Sequence, residues 1–183
     1  YVRLVSFWKQ NKPLAVLSYY ATHPLSYYGR GGVSPDTVGI ARETRAKAVP
    51  EAVHMHFAGA GANVAAGKYN DGSKESRAIL AGRLASGMEA AWKNTRKTPL
   101  RAEHIEWRIK PVVLPLRGMY QNVSVMENIL KDPRAGTSSR IRAARNIAWA
   151  RRVKAKDPIL LSCLRLGKES ILHFPGELFV EYQ

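Results

Sequence analysis

Strand-like runs alternate along the chain with segments of helical spacing, and this order limits the fold more than any other feature. The apolar run LAVLSYY (residues 14–20) leads into a loop, and Ser34-Pro35-Asp36 then marks a helix start. The run VHMHFAGA (residues 53–60) leads into a glycine-rich loop. Over residues 73–94 one helical stripe contains Leu80, Leu84, Met88 and Trp92. This order is typical of α/β proteins. We therefore predict an α/β fold with a mixed β-sheet flanked by helices, as an incomplete single domain.

The remaining elements follow from similar local signals. VRLVSFW (residues 2–8) is separated from the run at 14–20 by KQNK, which predicts a hairpin. Further along the chain we predict a strand within residues 100–115, a short helix over 123–131, a long helix from the capping residues 137–139 to about 156, strands over 158–166 and 169–174, and a terminal helix opened by Pro175-Gly176-Glu177.

Composition excludes several classes of protein. The chain has 183 residues and is 45% hydrophobic, which suits a globular domain with a sizeable core rather than a disordered chain. No apolar run approaches the roughly 20 residues that cross a bilayer. Cys163 is the single cysteine, so no internal disulfide framework can form.

Positive charge is concentrated in one segment. The formal net charge is +15, and residues 134–156 contain eight Lys or Arg residues and no acidic residue. Such a segment can be a solvated helix face, or it can meet an anionic membrane surface, nucleic acid or an acidic polypeptide. No helix-turn-helix, zinc-finger or RNA-recognition signature accompanies it, which makes nucleic acid the weaker interpretation.

Two residues that follow predicted strands are candidates for chemistry. His23 comes directly after the strand at 14–20, and Glu177 follows Pro175-Gly176 after the strand at 169–174. Open α/β sheets bind ligands at the carboxyl ends of their strands, where an imidazole can ligate zinc or act as a base. His23 can equally be a histidine that fixes a loop, and Glu177 can be an acid in a first helical turn.

Other motifs carry less information. His54 and His56 form an HxH pattern, which we interpret as ordinary strand residues. The loop at 59–72 is rich in glycine but lacks the GxGxxG and GxxxxGK[ST] patterns of nucleotide-binding loops. We find no GxSxG nucleophile elbow.

Four stretches together resemble the neutral/alkaline non-lysosomal ceramidase family. They are SYYATHPLSYYGRGGVSPDTVGIARE, HFAGAGANVAAGKYNDG, ILAGRLASGMEAAW and LSCLRLGKESILHFPGELFVEYQ, which comprise 80 of the 183 residues and lie in order between residues 18 and 183. The resemblance implies that residues 1–183 are an interior part of a ceramidase-like catalytic domain. It also suggests a secreted or periplasmic location.

The resemblance implies a zinc site of two histidines, a glutamate and a tyrosine. His23 matches the second histidine in its His-Pro context, and Glu177 matches the glutamate in its Pro-Gly-Glu context. The first histidine would precede Tyr1 and the tyrosine would follow Gln183. The chain would then hold half of the zinc ligands and would bind zinc poorly by itself.

One stretch departs from the family pattern. ANVAAG aligns with the family's GDVSPN, which puts Asn63 at the aspartate position and Ala65 at the serine proposed as a nucleophile. An alanine methyl cannot attack a carbonyl, but water activated by zinc needs no serine. The resemblance therefore implies a zinc-dependent hydrolase acting on an N-acyl amide, with a ceramide-like sphingolipid as one possible substrate. Gly61 and Asn63 are predicted to help bind that substrate.

Two alternatives stay open. Ala65 suits a catalytically inactive family member that serves as a binding domain, and the basic segment suits a nucleic-acid-binding module.

Overall fold

Strands β1 (Arg3–Lys9) and β2 (Lys12–Tyr20) form the antiparallel hairpin that the sequence predicts. Gln10 lies in the connecting turn with a φ of 54°. Strand β3 (Val53–Ala58) runs parallel to β2, so this three-stranded sheet is mixed, in the order β1-β2-β3.

The computed structural model describes residues 1–27, 29, 32–118 and 122–182. The chain divides into two compact units, of which the first comprises Tyr1–Pro99 with Gly176–Gln183 and the second Leu100–Pro175. Each unit combines helices with a three-stranded sheet. The predicted α/β class is confirmed, with the strands shared between two sheets. The assignment of residues 1–183 to one domain stays a prediction.

Two helices cover one face of the first sheet. Helix α1 (Asp36–Ala48) and helix α2 (Lys74–Lys93) bury a core cluster of Ala41, Leu84, Ala85 and Met88. The Ser73 side chain accepts a hydrogen bond from the Ser76 amide, which caps α2 where the sequence predicts its start.

The opposite face of the first sheet has no helix packed on it within the described residues. Val53, Met55 and Phe57 alternate along β3 and are between 40% and 63% exposed. Strand β3 is also an edge strand, since it pairs with β2 alone among the described strands.

The second unit contains an antiparallel sheet and a helix pair. Strands β4 (Ile105–Val112), β5 (Ile159–Leu166) and β6 (Glu169–His173) pair in sequence order. Helices α3 (Val123–Lys131) and α4 (Thr137–Lys154) pack through a core of Met126, Ala143 and Ile147. No helix in the described part of the chain is long and apolar enough to span a bilayer.

The prediction of a terminal helix after Pro175 is wrong. The segment has irregular backbone at Glu177, and among residues 176–182 only a 3₁₀ turn at Val180–Tyr182 is formed. The reason is long-range hydrogen bonding, because Leu178 and Val180 bond to residues 62 and 63 instead of to their own neighbours.

Candidate functional site

The site lies where β2 ends, and a loop from residue 61 to residue 64 crosses it. The His23 amide donates a 2.9 Å hydrogen bond to the Val64 carbonyl, and the Val64 amide donates one of 2.9 Å to the Gly61 carbonyl. The Gly59 amide bonds to the Tyr20 carbonyl at 3.0 Å. The loop is therefore fixed to the end of β2 along its backbone.

Gly61 allows a close approach between this loop and β2. A Cβ atom at residue 61 would lie 2.7 Å from the Thr22 nitrogen and 3.0 Å from the Ala21 carbonyl carbon. Both atoms belong to the backbone and cannot rotate away. Glycine at this position is therefore explained by packing.

The His23 ring bridges Val64 and Glu177. Its Nδ1 atom lies 3.2 Å from the Val64 carbonyl oxygen, and its Nε2 atom lies 3.2 Å from Oε2 of Glu177. Since a carbonyl can only accept, we assign the proton on Nδ1, which leaves Nε2 directed at the carboxylate. The His23 side chain is 27% exposed and that of Glu177 is 71% exposed, so solvent reaches the pair.

The surroundings of His23 favour its protonated form. The hydrogen bond to the Val64 carbonyl raises the pKa of His23 above the ordinary value of 6.5; partial burial opposes this rise, and the negative charge of Glu177 adds to it. Without a bound metal ion, protonated His23 therefore forms an ion pair with the carboxylate of Glu177.

The C-terminal segment is attached to the same loop. The Ala62 amide donates to the Leu178 carbonyl at 2.9 Å, and the Val180 amide donates to Oδ1 of Asn63 at 2.9 Å. The Asn63 Nδ2 atom donates to both carboxylate oxygens of Glu181, at 3.2 and 3.1 Å. Loop 61–64 therefore contacts His23 on one side and the segment that carries Glu177 on the other.

The donor pair suits one zinc ion. Two ligands of a tetrahedral zinc ion, each about 2.0–2.2 Å from the metal, are about 3.3–3.6 Å apart, slightly more than the observed 3.2 Å between Nε2 and Oε2. A ligating histidine commonly donates its other ring N–H to a carbonyl, as His23 does to Val64. The same separation also suits a direct hydrogen bond between imidazole and carboxylate. No group of three or more His, Cys, Asp or Glu side chains that could hold a metal is found among the described residues.

Asp36 anchors the loop that follows His23. One of its carboxylate oxygens accepts hydrogen bonds from the Ser26 hydroxyl, the Ser26 amide and the Thr37 amide. Burial alone would raise the pKa of Asp36, but these hydrogen bonds outweigh it and hold the pKa below its ordinary value. The loop is thereby fixed at residue 26 to the first turn of α1.

The remaining histidines have other surroundings. His54 Nε2 lies 3.1 Å from the Val49 carbonyl, and His56 Nδ1 lies 2.9 Å from the Ser18 hydroxyl. Burial lowers the pKa of His56. In the second unit, the Arg101 amide donates to His104 Nδ1 at 3.4 Å, and His173 Nδ1 is buried with no hydrogen-bond partner among the described residues.

The basic segment forms α4 and the residues after it. Its apolar side, with Ala143 and Ile147, is buried against α3, while Arg142 and Arg145 are exposed. Arg152 has a structural role, since its guanidinium donates to the Pro158 carbonyl at 2.7 Å and pairs with the Asp157 carboxylate at 3.0 Å. The charge is therefore on the solvent side of α4.

Loop 61–64 could not be identified fully from the sequence. The Val64 contribution is a backbone carbonyl, which leaves no residue signature, and Glu181 carries no local motif. The substrate-binding role of Gly61 and Asn63 stays a prediction.

Comparison with known proteins does not place the chain in a family. No protein-family model, no curated protein and no solved structure matches it.

Proposed function

We propose that the chain belongs to the catalytic domain of a zinc-dependent amidohydrolase of the neutral/alkaline ceramidase type. The supporting observation is the 3.2 Å separation between Nε2 of His23 and Oε2 of Glu177, the two residues that the family resemblance assigns as zinc ligands. They lie at the end of β2 and in the C-terminal segment, so only the fold brings them together.

In this proposal His23 and Glu177 hold the metal. The Val64 carbonyl keeps the His23 proton on Nδ1, so the lone pair of Nε2 is available when the ring is neutral. Glu177 provides a carboxylate oxygen and offsets positive charge at the centre. A bound zinc ion supplies Lewis acidity to an amide carbonyl and acidifies the attacking water.

Water is the proposed nucleophile. Residues 59–66, GAGANVAA, contain no serine, threonine or cysteine, and exposed Ala65 stands at the position of the family serine. A covalent acyl-enzyme at that position would need a hydroxyl or thiol. Direct hydrolysis needs neither group.

The proposed substrate is an N-acyl amide with an apolar chain. Leu25, two residues after His23, is 42% exposed, and Phe179, two residues after Glu177, is 53% exposed. Apolar side chains exposed close to both donors in the chain suit a lipid rather than a charged peptide. Gly61 and Asn63 are proposed to contribute to substrate binding through the loop they share.

An anionic membrane surface is the proposed partner for α4. Arg142 and Arg145 face solvent while the apolar side of the helix is already buried against α3, which favours electrostatic contact with headgroups over insertion. The absence of an accompanying recognition motif argues against nucleic acid.

Metal analysis of the full-length protein tests the proposal, because the resemblance puts the other two ligands outside residues 1–183. We expect zinc in the wild type, and loss of both zinc and amide hydrolysis in His23→Ala and in Glu177→Ala. His104→Ala and Glu51→Ala, at exposed positions, are the matched controls and should keep both. Equal zinc content in all five proteins refutes the ligand assignment. Zinc bound through His23 without hydrolysis of any N-acyl amide favours the inactive binding domain.

A further inference from the structure

We propose that Asn63 is a positioning residue, paired with Glu181, that holds Glu177 beside His23. This inference rests on the proposed function for its importance, because it concerns the same pair of metal donors. It gives the Asn63 side chain a positioning role in addition to the substrate contact proposed for loop 61–64.

Glu177 has little support from its own surroundings. Its side chain is 71% exposed, and its one ion pair among the described residues is with His23. The backbone at Glu177 belongs to no helix or strand. Its position is therefore set by the anchoring of the residues that follow it, beginning with the hydrogen bond from the Ala62 amide to the Leu178 carbonyl.

Asn63 provides the side-chain part of this anchoring, and its amide is suited to the task. Its Oδ1 atom accepts from the Val180 amide at 2.9 Å, while its Nδ2 atom donates to the Glu181 carboxylate at 3.2 and 3.1 Å. Both functions are needed at once, and an amide provides them. An aspartate could still accept from Val180, but it would place a second carboxylate against Glu181.

The same loop fixes His23. The Val64 carbonyl accepts hydrogen bonds from the His23 amide and from Nδ1 of its ring. Residues 62 to 64 thus hold both the segment that carries Glu177 and the ring of His23. A change at Asn63 therefore alters the distance between Nε2 of His23 and the Glu177 carboxylate. Contacts to the ligands themselves, such as that of His23 Nδ1 with the Val64 carbonyl, affect metal affinity by about 10–100-fold, and Asn63 acts one step further from the metal.

The experiment removes, opposes or exchanges the Asn63 amide and the Glu181 carboxylate. Asn63→Leu removes both hydrogen-bonding functions of the side chain at similar volume, and Asn63→Asp opposes Glu181 with a second carboxylate. The double variant Asn63→Asp/Glu181→Gln reverses the amide and the acid at unchanged net charge. Asn94→Leu is the matched control, because Asn94 bonds to the Ala90 carbonyl at the end of α2.

The first measurement is the nuclear Overhauser contact between the His23 ring and the Glu177 side chain in the metal-free protein. We expect the contact in the wild type and in Asn94→Leu, its loss in Asn63→Leu and Asn63→Asp, and its return in the double variant. A contact that persists in folded Asn63→Leu overturns the inference. Failure of the double variant to restore it also does so.

The second measurement is zinc affinity of the full-length protein, by competition with a chromophoric chelator. We expect weaker binding in Asn63→Asp, by up to about tenfold, and recovery in the double variant. A loss of stability in urea without a change in affinity would show a merely structural role and overturn the inference. If the ring contact follows the expected pattern but zinc binding does not depend on His23, the proposed function fails and the positioning role stands.

Discussion

His23 and Glu177 meet with a 3.2 Å separation between Nε2 and Oε2, although neither residue belongs to a helix or a strand. Their contact depends on hydrogen bonds from loop 61–64 rather than on the rigidity of regular structure.

The pKa values of His23 and His56 should be shifted in opposite directions. His23 should titrate above 6.5, chiefly because of the Val64 carbonyl, and His56 below 6.5 because of burial. The stabilisation from protonated His23 is complete below pH 6.5 and is lost as the pH rises through its raised pKa. His56 is buried in its neutral form, and its contribution to stability is complete above pH 6.5. That contribution is lost as the pH drops from 6.5 towards the lowered pKa of His56.

Imidazole signals of the metal-free protein, followed by NMR from pH 5 to 9, check this prediction. Glu177→Gln should lower the midpoint of His23 and leave that of His56 unchanged. Since a proton competes with a metal for Nε2, zinc retention should decline as the pH is lowered through the His23 midpoint. A His23 midpoint below that of His56 contradicts the assignment.

Gly61→Ala should destabilise the protein by about 1–3 kcal/mol, because the new methyl would overlap the backbone of Ala21 and Thr22. Gly82→Ala is the control, since it lies in α2 with no atom within 4 Å of the added Cβ. It should stabilise by about 0.5–1 kcal/mol through helix propensity. Urea unfolding measures both, and equal effects would contradict the close packing of the loop.

Asp71→Asn should lower stability at neutral pH, with the difference vanishing in acid. Hydrogen bonds from the Ser73 and Ser76 side chains lower the pKa of Asp71 to about 2. The stabilisation is present above the ordinary value of 3.8 and is lost as the pH falls towards 2. Chemical denaturation at several pH values measures the difference. Glu51→Gln, the same change of carboxylate to amide at another exposed position, is the control.

Ile147→Ala should destabilise the second unit by about 2–5 kcal/mol, because Ile147 is 4% exposed in the core between α3 and α4. Ile141, on the same helix, is 55% exposed, and Ile141→Ala should change stability by less than about 0.5 kcal/mol. Thermal or urea unfolding gives both values. Similar losses in the two variants would mean that α4 buries a different face.

Elements with strong local signals were predictable from the sequence. The hairpin of β1 and β2, the start of α1 after Ser34-Pro35 and the bounds of α3 at Val123–Lys131 all follow from turn residues, caps and periodicity. These signals act over a few residues, so the sequence alone contains them.

The arrangement of the site was predictable only in part. The positions of His23 and Glu177 after strands favour no single role, and their assignment as zinc ligands comes from the family resemblance. The structure places their Nε2 and Oε2 atoms 3.2 Å apart, and the ligand role stays a prediction. The helix predicted at Glu177 was wrong because hydrogen bonds to Ala62 and Asn63 replace the helical ones. The parts played by the Val64 carbonyl and by Glu181 depend on contacts between distant segments, which no local pattern reports.

The face of the first sheet without a packed helix, together with the edge strand β3, affects how the protein behaves in solution. Strand β3 pairs with β2 alone among the described strands and carries exposed Val53, Met55 and Phe57, and such an edge can template strand addition by a second molecule. The net charge of +15 opposes that encounter by mutual repulsion. Added salt weakens the repulsion but not the apolar attraction. The purified chain should therefore stay dispersed in dilute buffer and self-associate as ionic strength rises.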